Sequence, residues 1–258
     1  MRLITWNCCR GDHSKLAPLF DLRPDIAIVQ ETPQPTTALA DDQVWLGDNQ
    51  HQGLLVLSFR GWRLDSSIQR RPGADYFLPV RVHRGGQQFN LLAAWVKKGT
   101  EYPLYTSSIR RALDLYQDFL SHAPAVIAGD LNSYCHEDIC DRFGLVSAYH
   151  EFFGVEFDSE KHATHYFRRQ RSPGYHFDYC FIPRQWRRRL RDVRVGTYRQ
   201  WVRRSDHAPL IVDVSVPRGP NQAMERTATG RAFTSHGSSM RSLRATRVLG
   251  GRRSSPSR

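Results

Sequence analysis

Six short apolar runs constrain the fold of this chain more than any other feature. Leu3-Ile4-Thr5-Trp6, Ile26-Ala27-Ile28-Val29, Leu54-Leu55-Val56-Leu57, Phe89 to Val96, Ala125-Val126-Ile127-Ala128 and Leu210-Ile211-Val212 are each of strand length. Several are apolar at successive residues, a pattern that suits a strand buried on both faces. Ahead of the fifth run, Ile109, Ala112, Leu113, Tyr116, Phe119 and Leu120 follow the i, i+3, i+4, i+7 spacing of one amphipathic helix. Ser107 or Ser108 is placed to cap that helix, and Pro124 forbids its continuation into the next strand. A weaker helical pattern covers His13 to Leu22. Strands sandwiched under helices make a layered α/β domain. The sequence shows no internal repeat and no second domain.

The length of 258 residues suits one large domain or two small ones. No stretch approaches the roughly 18 uninterrupted apolar residues that a membrane helix needs. The N-terminus turns polar at once and lacks the apolar core of an export signal. The chain has 5 cysteines, of which Cys8 and Cys9 are adjacent, so a disulfide-stapled secreted domain is not expected. A cytoplasmic monomer is the expectation. The net charge of +12 is unevenly spread: residues 217–258 hold nine Arg and one Glu, which accounts for +8 and leaves +4 for the rest. That Arg/Ser-rich tail cannot bury enough apolar surface to offset its ordering entropy and is expected to be disordered. Either it holds phosphate backbones or it is a solvated extension. The preceding residues, 1–216, form the expected globular domain.

The residues that close the strands carry the chemistry. The first strand ends in Trp6-Asn7, the second in Gln30-Glu31, and the strand after the long helix in Gly129-Asp130-Leu131-Asn132. A later strand carries His176-Phe177-Asp178-Tyr179, and Ser205-Asp206-His207 precedes the last. Strand ends and their loops are where α/β folds present reactive groups. Each residue alone also suits a turn or a local cap. Among them Glu31, Asp130, Asp178, Asp206, Asn7, Asn132 and His207 form an oxygen-rich set with one imidazole, suited to a hard cation such as Mg²⁺ or Mn²⁺. A carboxylate and an imidazole beyond the ligands add proton transfer and charge stabilisation at a phosphoryl centre.

These five punctuations, in this order and spacing, resemble the signature of the endonuclease/exonuclease/phosphatase superfamily. The resemblance spans about residues 1–216 and implies a four-layer sandwich of two packed β-sheets flanked by helices. It further implies a metal-dependent phosphoesterase, nuclease-like in its action on a phosphodiester. By the same resemblance, Glu31 is the main metal ligand, with Asn7 and Asp206 near the same ion. Asp130 would activate or orient the attacking water, Asn132 would hold a phosphate oxygen, and His207 would contact the phosphate with Asp178 fixing its imidazole. The expected partner is a phosphate-ester substrate, with DNA and RNA among the candidates.

Two positions depart from that pattern. Cys9 stands where many relatives have an acidic or amide residue, and a thiol is a poor Mg²⁺ ligand, which leaves Asp12 as a possible substitute donor. Trp95 stands where the nucleases carry His or Tyr, and an indole donates a hydrogen bond but does not titrate. Both departures leave open a non-catalytic nucleic-acid-binding protein, and the shared motifs equally leave open a phosphatase of small metabolites. Trp95, His165 and Arg187 are the candidate substrate contacts. Arg187 lies in Gln185-Trp186-Arg187-Arg188-Arg189-Leu190-Arg191, where guanidinium groups flank an indole that can stack on a base. That run belongs to a segment, His165 to Arg204, with twelve Arg and two Asp. It reads either as a phosphate-binding surface or as a solvated face. Cys135-His136 with Cys140 has no regular zinc spacing and lacks a second half-site.

Overall fold

The computed structural model describes residues 1–97, 104–134 and 137–215. The chain first lays down β1 (Arg2–Asn7), β2 (Ile26–Thr32), β3 (Asp42–Asn49) and β4 (Gln52–Ser58). It then builds β5 (Arg63–Asp65), β6 (Phe77–Arg84), β7 (Gln87–Trp95), β8 (Ala125–Asp130) and β9 (Leu145–Ser147). A two-stranded ribbon, β10 (His165–Tyr166) and β11 (Gly174–Tyr175), precedes β12 (Asp178–Pro183), β13 (Leu190–Val195) and β14 (Leu210–Val214). Two six-stranded sheets result, ordered β13-β14-β1-β2-β4-β3 and β5-β6-β7-β8-β12-β9. Within each sheet one pair is parallel, β1 with β2 and β7 with β8, and the other pairings are antiparallel.

Burial on both faces explains the successive apolar residues. Leu3, Ile28, Val56 and Val212 of the first sheet pack on Leu91, Ala93, Val126 and Cys180 of the second. Their alternates face outward under helices. Ile4, Trp6, Val29 and Ile211 lie beneath a 3₁₀ turn (His13–Leu16), α1 (Ala17–Asp21) and a later short helix that carries Trp201. On the other side Leu92, Ala94, Ile127 and Phe181 lie beneath α2 (Tyr105–Leu115) and α3 (Gln117–Ser121). Helix, sheet, sheet, helix is the four-layer sandwich expected from the resemblance. Each Leu, Ile, Val or Phe among these side chains contributes about 1.5–3 kcal/mol on leaving water.

The long helix is not continuous. It breaks at Tyr116, whose φ of −106° and ψ of 15° leave the helical region. The Tyr116 ring is buried and its hydroxyl accepts from the Arg71 backbone at 3.0 Å, so a tertiary contact holds the break. Nor does either serine cap it: Leu104 is the N-cap, and the Ser107 and Ser108 hydroxyls bond back to its carbonyl. The weaker pattern at His13–Leu22 divides similarly into the 3₁₀ turn and α1, with Asp12 accepting from Ser14 N at 2.8 Å. No helix of the described residues is long and apolar enough to cross a membrane. The tail reading for 217–258, and Cys135 and His136, lie outside the described residues.

Side-chain alternation then sets the position of the site. Along β1, Leu3 faces the second sheet, so Thr5 and Asn7 do as well; along β2, Ile26 and Ile28 are followed by Gln30. Along β8, Val126 and Ala128 are followed by Asp130, and β12 begins at the same end with Asp178, opposite Asp130 in the register. At one end of the sandwich, therefore, the terminal inward positions of β1, β2, β8 and β12 are polar. Gly129 permits this convergence: a Cβ there would lie 1.8 Å from the Ala94 carbonyl oxygen.

Candidate active site

Asp130 is the hub of this polar end and is fully buried. Its Oδ2 accepts from Asn7 Nδ2 and from Asn132 Nδ2, each at 3.0 Å, and its Oδ1 accepts from the Asn132 backbone at 3.0 Å. Asn132 adopts a φ of +50°, a left-handed conformation that asparagine tolerates better than most residues. Its second amide hydrogen goes to the Val96 carbonyl at 3.1 Å. Both amide hydrogens of Asn132 are thus committed to the protein, and the side chain clasps Asp130 instead of presenting a free donor to phosphate.

His207 lies across from this hub. Its Nδ1 is 2.8 Å from Asp178 Oδ2, and its Nε2 is 3.9 Å from Asp130 Oδ2. The first is a hydrogen bond; the second is too long for one and leaves Nε2 directed at the carboxylate without a bond. Ser205 holds the backbone in place by donating to the Asn7 carbonyl at 2.7 Å and accepting from His207 N at 2.9 Å. Trp6 Nε1 donates to the His207 carbonyl at 3.0 Å. Thr164 Oγ1 accepts from the backbone of both Phe177 and Asp178, at 2.9 and 3.0 Å. Thr164 and Trp6 carried no signal of this supporting role in the sequence, whereas Ser205 sat in the motif without an assigned part.

Burial raises the Asp130 carboxyl to about 7, with Asp178 adding to the rise while His207 and the Asn7 and Asn132 bonds oppose it. Burial alone would lower His207, but Asp178 and Asp130 outweigh it and raise the imidazole to about 9. The centre therefore favours a cationic imidazole between two carboxyl groups. His165 lies close by, its ring tilted 4.5 Å from the His207 ring, and burial together with the His207 charge lowers it to about 4. The structure thus brings His165 beside the cluster as a neutral ring.

Glu31 reaches the site through a β-bulge. The register of β2 on β4 shifts between Gln30 and Thr32, and Glu31 takes a φ of +59°. Strict alternation would turn its side chain outward with Val29. The bulge re-aims it, and Glu31 Oε1 accepts from Asn7 Nδ2 at 3.1 Å. One carboxamide therefore draws two carboxylates, Glu31 and Asp130, towards a common point. Asp206 is half-buried, with Oδ1 3.5 Å from Ser205 Oγ. Burial and the neighbouring Asp206 raise the Cys9 thiol. Two carboxylates beside a neutral thiol, with Arg10 Nε 4.0 Å from Glu31 as the nearby cation, make a donor set of hard oxygens that fits a divalent ion. Asn7 can add one carbonyl oxygen, which already accepts from Cys9 N at 2.9 Å. Asp12 does not join them; it is exposed and occupied as a cap. A second grouping is more deeply buried: Asp130, Asp178 and His207 each offer a ligand atom within 4.8 Å of the others and can also hold a metal.

Two expected substrate contacts are placed otherwise. Trp95 stands opposite Asp130 in the register, but its ring is buried edge-on against Tyr76 at 4.7 Å, so it packs behind the hub and shows no open face. Arg187 belongs to a 3₁₀ turn (Arg184–Arg189) that follows the far end of β12, about 16 Å along the strand from Asp178 at the usual rise. It pairs with Glu151 at 2.7 Å, and the adjacent Trp186 is buried against Phe89. The indole is thus a core residue and its guanidinium neighbours face solvent away from the cluster. Interleaving of aromatic and basic residues is the same for either role; only the end of the strand decides.

No family model and no curated protein sequence matches the chain. Among solved structures it is similar to an AP endonuclease from Archaeoglobus fulgidus, with a TM-score of 0.61 and 16% identity, over 84% of this chain and 100% of the other. The likeness is one of fold, and it is the endonuclease/exonuclease/phosphatase-like fold.

Proposed function

We propose that this protein is a divalent-metal-dependent phosphoesterase that acts as a nuclease-like phosphodiesterase. The observation that carries this reading is the His207–Asp178 pair facing Asp130, itself clasped by carboxamides from two different sheets, with Glu31 and Asp206 at the rim. A bound Mg²⁺ or Mn²⁺ would be held by Glu31, Asp206 and the Asn7 carbonyl, and would supply Lewis-acid polarisation of the phosphate.

Asp130 has the properties of a base near neutrality, since burial raises it to about 7 and its bonds to Asn7 and Asn132 fix its orientation. It positions a water and takes a proton from it. His207, held cationic by Asp178, donates from Nε2 to a phosphate oxygen and offsets the charge that builds there. Because His207 Nδ1 is already bonded to Asp178, we assign the buried trio to proton and charge work and the more open Glu31–Asp206 pair to the ion. The likeness in fold to an AP endonuclease supports DNA as the first substrate to try. The test is a panel of labelled DNA, labelled RNA and small phosphodiesters with Mg²⁺ or Mn²⁺, run beside Asp130→Asn. Metal-dependent cleavage that EDTA abolishes and the variant lacks is the expected result. Full activity in EDTA would remove the metal mechanism, and strand binding without turnover in any arm would leave a binding protein.

A further inference from the structure

A cavity of about 530 Å³ opens beside the β10–β11 ribbon, walled by Tyr134, Tyr166, Tyr175 and Tyr198, with Lys161 and Arg171 at its edge. It shares none of its lining with the catalytic candidates, yet it adjoins them. Tyr175 pairs with His165 across the ribbon, their rings 6.0 Å apart and 28° from parallel, and His165 in turn lies 4.5 Å from His207. On the adjacent residue, Tyr166 N donates to the Asp206 carbonyl at 2.7 Å. The ribbon is therefore one wall with the candidate centre against it and the cavity along it.

The lining is unusual for a packing defect. Tyr166 and Tyr198 meet edge-on at 4.9 Å, Tyr134 leans on Tyr175 at 6.3 Å, and Tyr134 is 40% exposed. Such rings offer flat apolar faces with hydroxyl groups around them, which favour a planar ligand with polar edges. Lys161 and Arg171 are exposed and, among the described residues, neither is in a salt bridge. Two carboxylates, Asp158 and Glu160, also line the cavity, and Glu160 is already bonded to His150 at 2.9 Å. A nucleotide is a planar group with an anionic appendage, and the volume lies within the usual range for small ligands.

We infer that this cavity receives one nucleotide of the substrate strand, its base against the tyrosines and its phosphate at Lys161 and Arg171, next to the phosphate held at the catalytic cluster. The inference rests on the phosphoesterase reading for the role of that neighbouring phosphate, and it deepens that reading into a substrate class. A base stacked and paired within a duplex cannot enter a cavity, so the substrate is single-stranded or locally unpaired nucleic acid.

Equilibrium binding of short labelled DNA and RNA strands in EDTA tests it without turnover. Single strands should bind more tightly than the matching duplex. Tyr134→Ala and Tyr198→Ala should each weaken single-strand binding about 5- to 100-fold, while Tyr134→Phe retains it. Lys161→Ala should weaken it with a shallower salt dependence. Equal affinity of wild type and both alanine variants for the single strand, in preparations that melt alike, would overturn the inference; so would a duplex bound as tightly as its strands. Hydrolysis of bis(4-nitrophenyl) phosphate by the wild-type protein with Mg²⁺ reports the phosphoesterase reading by itself. Its failure would sink that reading and still leave the binding assay to decide the cavity.

Discussion

Asp130, Asp178 and His207 are buried together, so their substitutions affect turnover and stability to different degrees. Asp130→Asn keeps the shape but cannot take a proton, and its NH2 must face either the Asn132 backbone N–H or the two carboxamide donors, so turnover should fall about 10²–10⁴-fold. The opposed donors should lower stability by about 1–3 kcal/mol. His207→Ala leaves Asp178 buried without its partner, which costs about 3–5 kcal/mol. Adding Asp178→Asn to that variant removes the stranded charge. The double variant should therefore melt above the His207→Ala single variant while being no more active, because the pair acts as a unit. Melts and rates on the same preparations check this; a double variant that melts lower than either single one would show that the pair is not a buried charge pair. These residue types and their order were legible in the sequence because they occupy strand ends. Their roles were less so: Asn132 spends its amide on Asp130, and Trp95 is turned into the core by a register that no local pattern records.

At the scale of elements, the bulge in β2 and the start of that strand yield separate predictions. Glu31 sits at a φ of +59°, where a residue other than glycine carries about 1–3 kcal/mol of strain. Glu31→Gly removes that strain together with a carboxylate crowded beside Asp130, offset in part by the greater freedom of glycine in the unfolded chain. The variant should melt at or slightly above the wild type, by up to about 1 kcal/mol, and lose metal-dependent activity. A clear loss of stability would mean that Glu31 holds the strand together. At the other end of the same strand, Asp25 accepts from Arg2 N at 2.6 Å and from Arg60 Nε at 2.8 Å. Burial would raise its carboxyl, but the Arg60 and Arg2 bonds prevail and hold it below the ordinary value. A depressed carboxyl stabilises the fold above its unfolded value of about 3.9, and that contribution is lost as pH falls through the folded value. Asp25→Asn should lower stability at neutral pH by about 1–3 kcal/mol and flatten the acid limb of a melting profile below about pH 4. An unchanged acid limb would rule Asp25 out as its source. The central strands were readable because burial on both faces makes them apolar throughout. The edge strand β3 was not, since its residues are mostly half-buried and carry little hydrophobic signal, and the bulge was invisible because it replaces alternation with a backbone conformation.

For the molecule as a whole, both sheets and all three packed clusters are complete within the described residues up to 215. Removal of residues 217–258 should therefore leave melting and small-diester hydrolysis unchanged. It removes nine Arg and one Glu, so strand binding should weaken with a shallower dependence on salt. A truncated protein that fails to fold would place part of the core in the tail. The topology has one more consequence. β1 lies between β2 and β14, and its Leu3 pairs with Val212, which is made long after it. At 5–20 residues per second, β1 waits roughly 10–40 s of synthesis for that neighbour, with one backbone edge open to chaperones or to other nascent chains. Asn7 and His207 come together only when β14 docks, so a ribosome-bound or prematurely terminated fragment contains no assembled centre. The order of synthesis thus keeps a half-made copy without the candidate centre.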